Sequence, residues 1–141
     1  MREQTIVRVG AKVLVPFIIM FGFYVHFHGD YSPGGGFQAG VILAAAFVLY
    51  GLVYGLDAVQ QVLPAGCAQA GAAVGGLIYA GVGVLTLFLG GNFLGYGVLA
   101  HDPEHGQHYG IIGVEAGVVV TVFGVMVTIF YLFAGRGRGQ Q

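Results

Sequence analysis

The chain has 141 residues, of which 57% are hydrophobic and only 8% charged, with a mean hydropathy of +0.84; that is more apolar surface than a small soluble core can bury, and it points to an integral membrane protein. The formal net charge of −1 lacks the basic excess that neutralising phosphates requires, which argues against nucleic acid as a partner. A lone cysteine, Cys67, excludes an intrachain disulfide and a thiolate cage for zinc or an iron–sulfur cluster, so no cofactor is expected and any redox centre would belong to another chain.

In chain order, apolar runs occupy residues 9–27, 37–56, 70–89 and 110–133, each near the ~20 residues an α-helix needs to cross a bilayer. The expectation is an all-α integral membrane protein, residues 1–141 forming one transmembrane domain of four helices. The first run is longer than the ~7–15 residues of a signal-peptide core and has no small-residue cleavage site after it, so it reads as the first span. All basic residues lie near the chain ends: Arg2, Arg8 and Lys12 in front, Arg136 and Arg138 behind. The positive-inside rule then places the N and C termini in the cytoplasm, which requires an even number of spans, and turns the connections 29–36 and 90–109 outward. Within the first span, Pro16 removes one backbone donor, and Lys12 is close enough to the end for its stem to carry the ammonium back to the interface.

The first connection is the chemically densest stretch, with His26, His28, Asp30, Pro33 and the triplet Gly34-Gly35-Gly36 ahead of Phe37. Ser32 and Pro33 form a suitable N-cap and first-turn pair for the second helix, since the serine oxygen accepts an orphan N–H and proline has none to leave unpaired. The glycines allow either a tight turn or an unwound helix end. In the second case, exposed carbonyls, Asp30 and His28 could meet a cation near the outer membrane face. No Gly-Lys-Ser/Thr follows the glycines, so a phosphate loop is excluded.

Three helices carry stripes of small residues. Gly36, Gly40, Ala44, Gly51 and Gly55 share one face of the second, Gly76, Ala80, Gly83 and Gly90 one face of the third, and Gly113, Gly117, Thr121, Gly124 and Thr128 one face of the fourth. Such faces let helix backbones approach closely in lipid, and the pairs Gly51/Gly55 and Gly113/Gly117 have the G-x-x-x-G spacing. In the last loop, His101, His105 and His108 have the spacing of helical metal ligands, but Pro103 and Gly106 disfavour a regular helix through them. No metal site is assigned there, and a solvated loop is expected. Glu115 lies about five residues, roughly 7.5 Å, inside the fourth span, where a charge costs on the order of 2 to 3 kcal/mol unless it is paired, hydrated or protonated. It points about 160° from the small-residue stripe, which suggests that it faces a second subunit.

The run Pro33-Gly34-Gly35-Gly36-Phe37-Gln38-Ala39-Gly40, together with Glu115-Ala116-Gly117 leading to Met126-Val127-Thr128-Ile129-Phe130, resembles the MnhB/MrpB family, small membrane components of the Mrp-type multisubunit sodium/proton antiporters. The resemblance covers nearly the whole chain. It implies a multi-pass subunit of the bacterial cytoplasmic membrane that works beside other hydrophobic subunits of a hetero-oligomeric antiporter. The transported ions would be Na+ and H+, the chain would be a transporter subunit rather than an enzyme, and it would contribute to the ion pathway, coupling or assembly. Pro33, Phe37 and Glu115 are the motif positions expected to matter most. Two departures stand out: Gly29-Asp30-Tyr31 replaces the Gly-His-Asn of many members, and Glu115 stands where members often have Asp. Ion-pumping hydrogenases have membrane-arm subunits with the same Pro-Gly-Gly-Gly-Phe pattern, so a place in such a complex is an alternative, and a purely scaffolding or assembly role is another.

Overall fold

The structure, a computed structural model, describes residues 4–29 and 35–136. Regular structure among them is helical: α1 (Thr5–His28), α2 (Gly36–Tyr54), α3 (Leu56–Val62), α4 (Ala65–Phe88) and α5 (Pro103–Gly135), with a 3-10 turn at Tyr96–Val98 in the loop before α5. Of these, α1, α2, α4 and α5 are the 4 helices long and apolar enough to cross a membrane. Their outward side chains fit that setting: Phe17, Met20, Phe27, Leu77, Phe88 and Phe133 are each more than half exposed, which water would penalise and acyl chains would not.

The spanning helices form a row rather than a closed bundle. α1 packs on α2, α2 on α5, and α5 on α4. α2 and α5 run parallel, because Gly36 lies against Glu115 near the start of α2 and Gly51 against Phe130 near its end. α4 runs antiparallel to α5, with Gly75 against Gly117 and Ala68 against Gly124. The Tyr54 hydroxyl donates to the Arg8 carbonyl at 2.7 Å, and the Tyr131 hydroxyl donates to the Leu63 carbonyl at 2.7 Å. The start of α1 and the end of α5 therefore lie at the same end of the molecule, where α3 buries Leu56 and Val59 against Ala44, Ala68, Val127 and Tyr131.

Missing side chains set the contact between α4 and α5. A Cβ on Gly75 would sit 2.5 Å from the Gly117 carbonyl oxygen, and one on Gly124 would sit 2.5 Å from the Ala68 carbonyl oxygen. Thr121 and Thr128 donate to the Gly117 and Gly124 carbonyls at 2.9 and 2.7 Å, so neither hydroxyl is left unsatisfied in the apolar layer. The face of α4 that buries is Ala68, Gly75, Gly83 and Thr86, only partly the stripe expected from sequence. Gly76 has open space where a Cβ would be and Ala80 is exposed. Gly90 falls past the helix end at φ +84°. With adjacent glycines at 75 and 76, which one meets the neighbour depends on the rotation of α4, which α5 fixes. Gly113 packs on Val82, where a Cβ would lie 3.2 Å from a methyl, closer than side chains ordinarily sit. Gly55, expected to pack helices, instead separates α2 from α3 at φ +102°, a conformation that glycine adopts without strain.

Two helix starts also differ from expectation. Gly35, at φ +123°, immediately precedes the described part of α2, ahead of which the sequence expects Ser32 and Pro33. Asp30, Ser32, Pro33 and Gly34 lie outside the described residues. α5 begins at Pro103 rather than near residue 110, with the Asp102 carboxylate accepting from the Glu104 N–H at 3.3 Å. Proline breaks a helix interior but suits its first position, where no N–H is required. Gly106 belongs in this first turn because the Tyr96 carbonyl oxygen would sit 2.5 Å from a Cβ there.

Gly75→Ala is expected to destabilise the chain by about 1–3 kcal/mol through overpacking against Gly117 and Thr121, whereas Gly76→Ala is expected to be close to neutral. Thermal unfolding of the two variants in detergent compares them, and equal shifts would contradict the α4–α5 register.

Candidate functional site

Glu115 is the acidic residue of the fourth apolar run, and α5 positions it. One face of α5 is occupied by α4 through Gly117 and Gly124; the other meets α2 through Glu115, Val118, Val119 and Val122. The expected 160° separation therefore holds, and the second face meets α2 of the same chain. The row α2–α5–α4 places α5 between two intrachain neighbours.

The approach of α2 is close because its contact residues are glycines. A Cβ on Gly36 would lie 2.5 Å from the Glu115 carbonyl oxygen and 3.0 Å from the Val118 Cβ, and one on Gly40 would lie 3.0 Å from the Val119 carbonyl oxygen. With the backbones this near, the Glu115 side chain reaches the facing ends of α1 and α2. Its Oε1 lies 2.9 Å from the position of a Cβ on Gly35 and 3.1 Å from one on Gly29. The two helix ends also touch, a Gly29 Cβ position being 2.7 Å from the Gly35 Cα. Gly29, Gly35 and Gly36 thus form a corner without side chains into which one carboxylate oxygen fits.

A second polar atom belongs to the same end of α1. His26 is one turn before Gly29 and one turn after Gly22, which packs on Leu43 of α2. Its Nδ1 is buried with no hydrogen-bond partner among the described residues, a condition that costs about 1–3 kcal/mol until something fills it. Lys12 lies at the opposite end of α1, beside Tyr50 and Tyr54. The available signal for His26 was its position on the Gly22/Gly29 face. His28 turns outward and stacks on Tyr24 with ring centroids 5.2 Å apart. Phe37 is 61% exposed, so it is directed away from the glycine corner.

The histidine loop is separate from this site. His105 Nδ1 lies 3.2 Å from Asp102 Oδ2 on the surface, and Glu104, His105 and His108 line a shallow depression. Among the described residues no three His, Cys, Asp or Glu side chains converge as metal ligands, so His101, His105 and His108 share a loop and a helix start without sharing a site. The nearby Tyr96 phenol is pushed above its ordinary pKa, chiefly by burial and secondarily by the Tyr79 phenol.

The fit of the Glu115 carboxylate into the glycine corner makes Gly35 and Glu115 energetically dependent on each other. In a double-mutant cycle on thermal stability, Gly35→Ala and Glu115→Ala are expected to be non-additive by about 0.5–3 kcal/mol. The strain of a side chain at φ +123° remains in both backgrounds, whereas the collision with the carboxylate remains in only one. Additive effects would contradict the contact.

A family model described as a domain related to the MnhB subunit of Na+/H+ antiporter matches residues 6–128, a range that includes both the glycine corner and Glu115. A protein of Staphylococcus haemolyticus strain JCSC1435 named as antiporter subunit mnhB2 is 36% identical over 145 residues, covering 96% of this chain and 98% of its own. A protein of the same name from Staphylococcus aureus strain Newman is 34% identical over 139 residues with the same two coverages. A family match across most of the chain, joined to relatives this similar over nearly their full length, places the chain in the MnhB family, the domains related to the MnhB subunit of Na+/H+ antiporters.

Proposed function

We propose that this chain is a small membrane-embedded subunit of a multisubunit Na+/H+ antiporter, and that its Glu115 carboxylate, lodged in the corner of Gly29, Gly35 and Gly36, is the group through which it takes part in ion exchange. The family match supports the first statement. The second rests on one observation: a carboxylate oxygen lies within 3.1 Å of the Cβ positions of both Gly29 and Gly35, at the connection between α1 and α2. Neither Gly29 nor Gly35 sets a side chain against the carboxylate, and a carboxylate within a membrane span suits either a proton or a sodium ion. Pro33, Gly34 and Asp30 adjoin this connection in sequence, and the buried Nδ1 of His26 supplies a further polar atom on the α1 side.

In this reading the chain is a transporter subunit and not an enzyme, it sits in the bacterial cytoplasmic membrane, and the transported ions are Na+ and H+. Other hydrophobic antiporter subunits cover its exposed apolar faces, Phe37 among them. Both termini are cytoplasmic, as the basic residues at the chain ends require, and the glycine corner faces outward. The start of α1 and the end of α5 lie at the same end of the molecule, which agrees with this.

Glu115→Gln keeps shape and hydrogen-bonding capacity but cannot ionise. The assembled complex is expected to keep its subunits and lose exchange, or to need about 10- to 100-fold more sodium for half-maximal exchange, the range set by losing a charged partner worth about 1.5–3 kcal/mol. Normal assembly with normal exchange across the pH range would remove Glu115 from this role. Weakened assembly with intact exchange per complex would make it an anchor instead.

The orientation has its own test. With Cys67 replaced by serine, a cysteine introduced at Gln107 should react with an impermeant thiol reagent in intact cells, and one at Gln140 should react only after permeabilisation. Labelling of the Gln140 position from outside would reverse the assignment.

A further inference from the structure

At the end of the molecule opposite the glycine corner, α1 and α2 leave an open crease between them. It begins at Thr5, Arg8, Val9, Lys12 and Tyr54 with a cavity of about 270 Å³. It continues past Val15, Pro16 and Tyr50 with about 370 Å³. It ends among Ile19, Ala46, Phe47 and Val62 with about 210 Å³. Adjoining sections share Lys12 and Tyr54, then Val15 and Tyr50, so the three form one continuous feature.

Its chemistry changes along its length. At the mouth, the Arg8 guanidinium lies 5.3 Å from the centroid of the Tyr54 ring, and Lys12 lines both outer sections. Among the described residues no carboxylate lines any of the three. Beyond Tyr50 the walls are aliphatic and aromatic carbon. From Arg8 to Ile19 is 11 residues of α1, about 16 Å of helix, which is close to half of a ~30 Å hydrocarbon core. Two cations at the headgroup level, tyrosines at the interface and an apolar channel one leaflet deep match a single amphiphile with an anionic head.

We infer that this crease binds an anionic phospholipid of the leaflet facing the start of α1, its phosphate between Arg8 and Lys12 and an acyl chain along Val15, Ile19 and Ala46. The Tyr50 and Tyr54 rings, 4.8 Å apart at the centroids, form the wall at the glycerol level. The inference does not depend on the role assigned to Glu115, and its readout is lipid binding, not exchange.

The test uses the intact complex in nanodiscs doped with photoactivatable phosphatidylglycerol, or with photoactivatable phosphatidylcholine as the comparison. Phosphatidylglycerol is expected to label the α1–α2 peptides preferentially. In the Arg8→Gln, Lys12→Gln double variant its affinity for the site should fall about 30-fold, from roughly five-fold for each cation near the surface. Ala46→Leu, which narrows the apolar end and leaves both charges, should also reduce acyl-chain labelling, so the inference stays testable if the double variant does not assemble. Equal labelling by the two lipids, phosphatidylglycerol labelling unchanged in both variants, or capture of a neighbouring protein of the complex through a photo-crosslinker at Ile19 would overturn it.

Discussion

The arrangement depends on α5 being held between two helices by backbone contact. In lipid no hydrophobic force draws one apolar helix to another, so association relies on close packing and on satisfied polar groups. α5 obtains both, with Gly117 and Gly124 toward α4, Gly36 and Gly40 of α2 on the other side, and Thr121 and Thr128 bonded back to the helix itself. A side chain at Gly36 would separate α2 from the Glu115 carbonyl. The same absence that seats α2 therefore also places the carboxylate over the connection to α1, and the site follows from the packing.

Much of this is legible in the sequence because the membrane restricts the alternatives. Long apolar runs can only be helices there, and the small faces of α2 and α5 are evident from Gly36, Gly40, Gly117 and Gly124. Where sequence and structure differ, a tertiary contact decides between options that local pattern leaves equal. Gly75 and Gly76 are neighbours in sequence but about 100° apart on the helix, and the backbone of α5 selects the first. Gly55 has the spacing of a packing glycine yet supplies a left-handed break, as the turn into α3 requires. Pro103 reads as a breaker and is a starter, because Asp102 is there to cap.

The site is visible in the sequence only in parts. The glycines and Glu115 each stand out, about 80 residues apart, with nothing in the sequence to say that the open face of α5 is covered by the helix that follows the glycines. Charge suggests a second subunit as the neighbour of Glu115, since an intrachain partner for a buried acid would ordinarily be a cation, and the basic residues lie at the other end. That end has its own character. Arg8 and Lys12 gather where α1 and α2 diverge, while the acid sits where they converge, so the α1–α2 pair is electrically polarised along its length.

In this structure the Glu115 carboxylate faces the glycine corner of its own chain, and the same pairing is expected within the working complex. Cysteines at Gly35 and Glu115, in a chain with Cys67 replaced by serine, can be joined in native membranes by a short bifunctional thiol reagent and the linked peptides identified by mass spectrometry. The structure predicts an intrachain link between positions 35 and 115. A link from position 115 to another subunit, with no intrachain product, would contradict it.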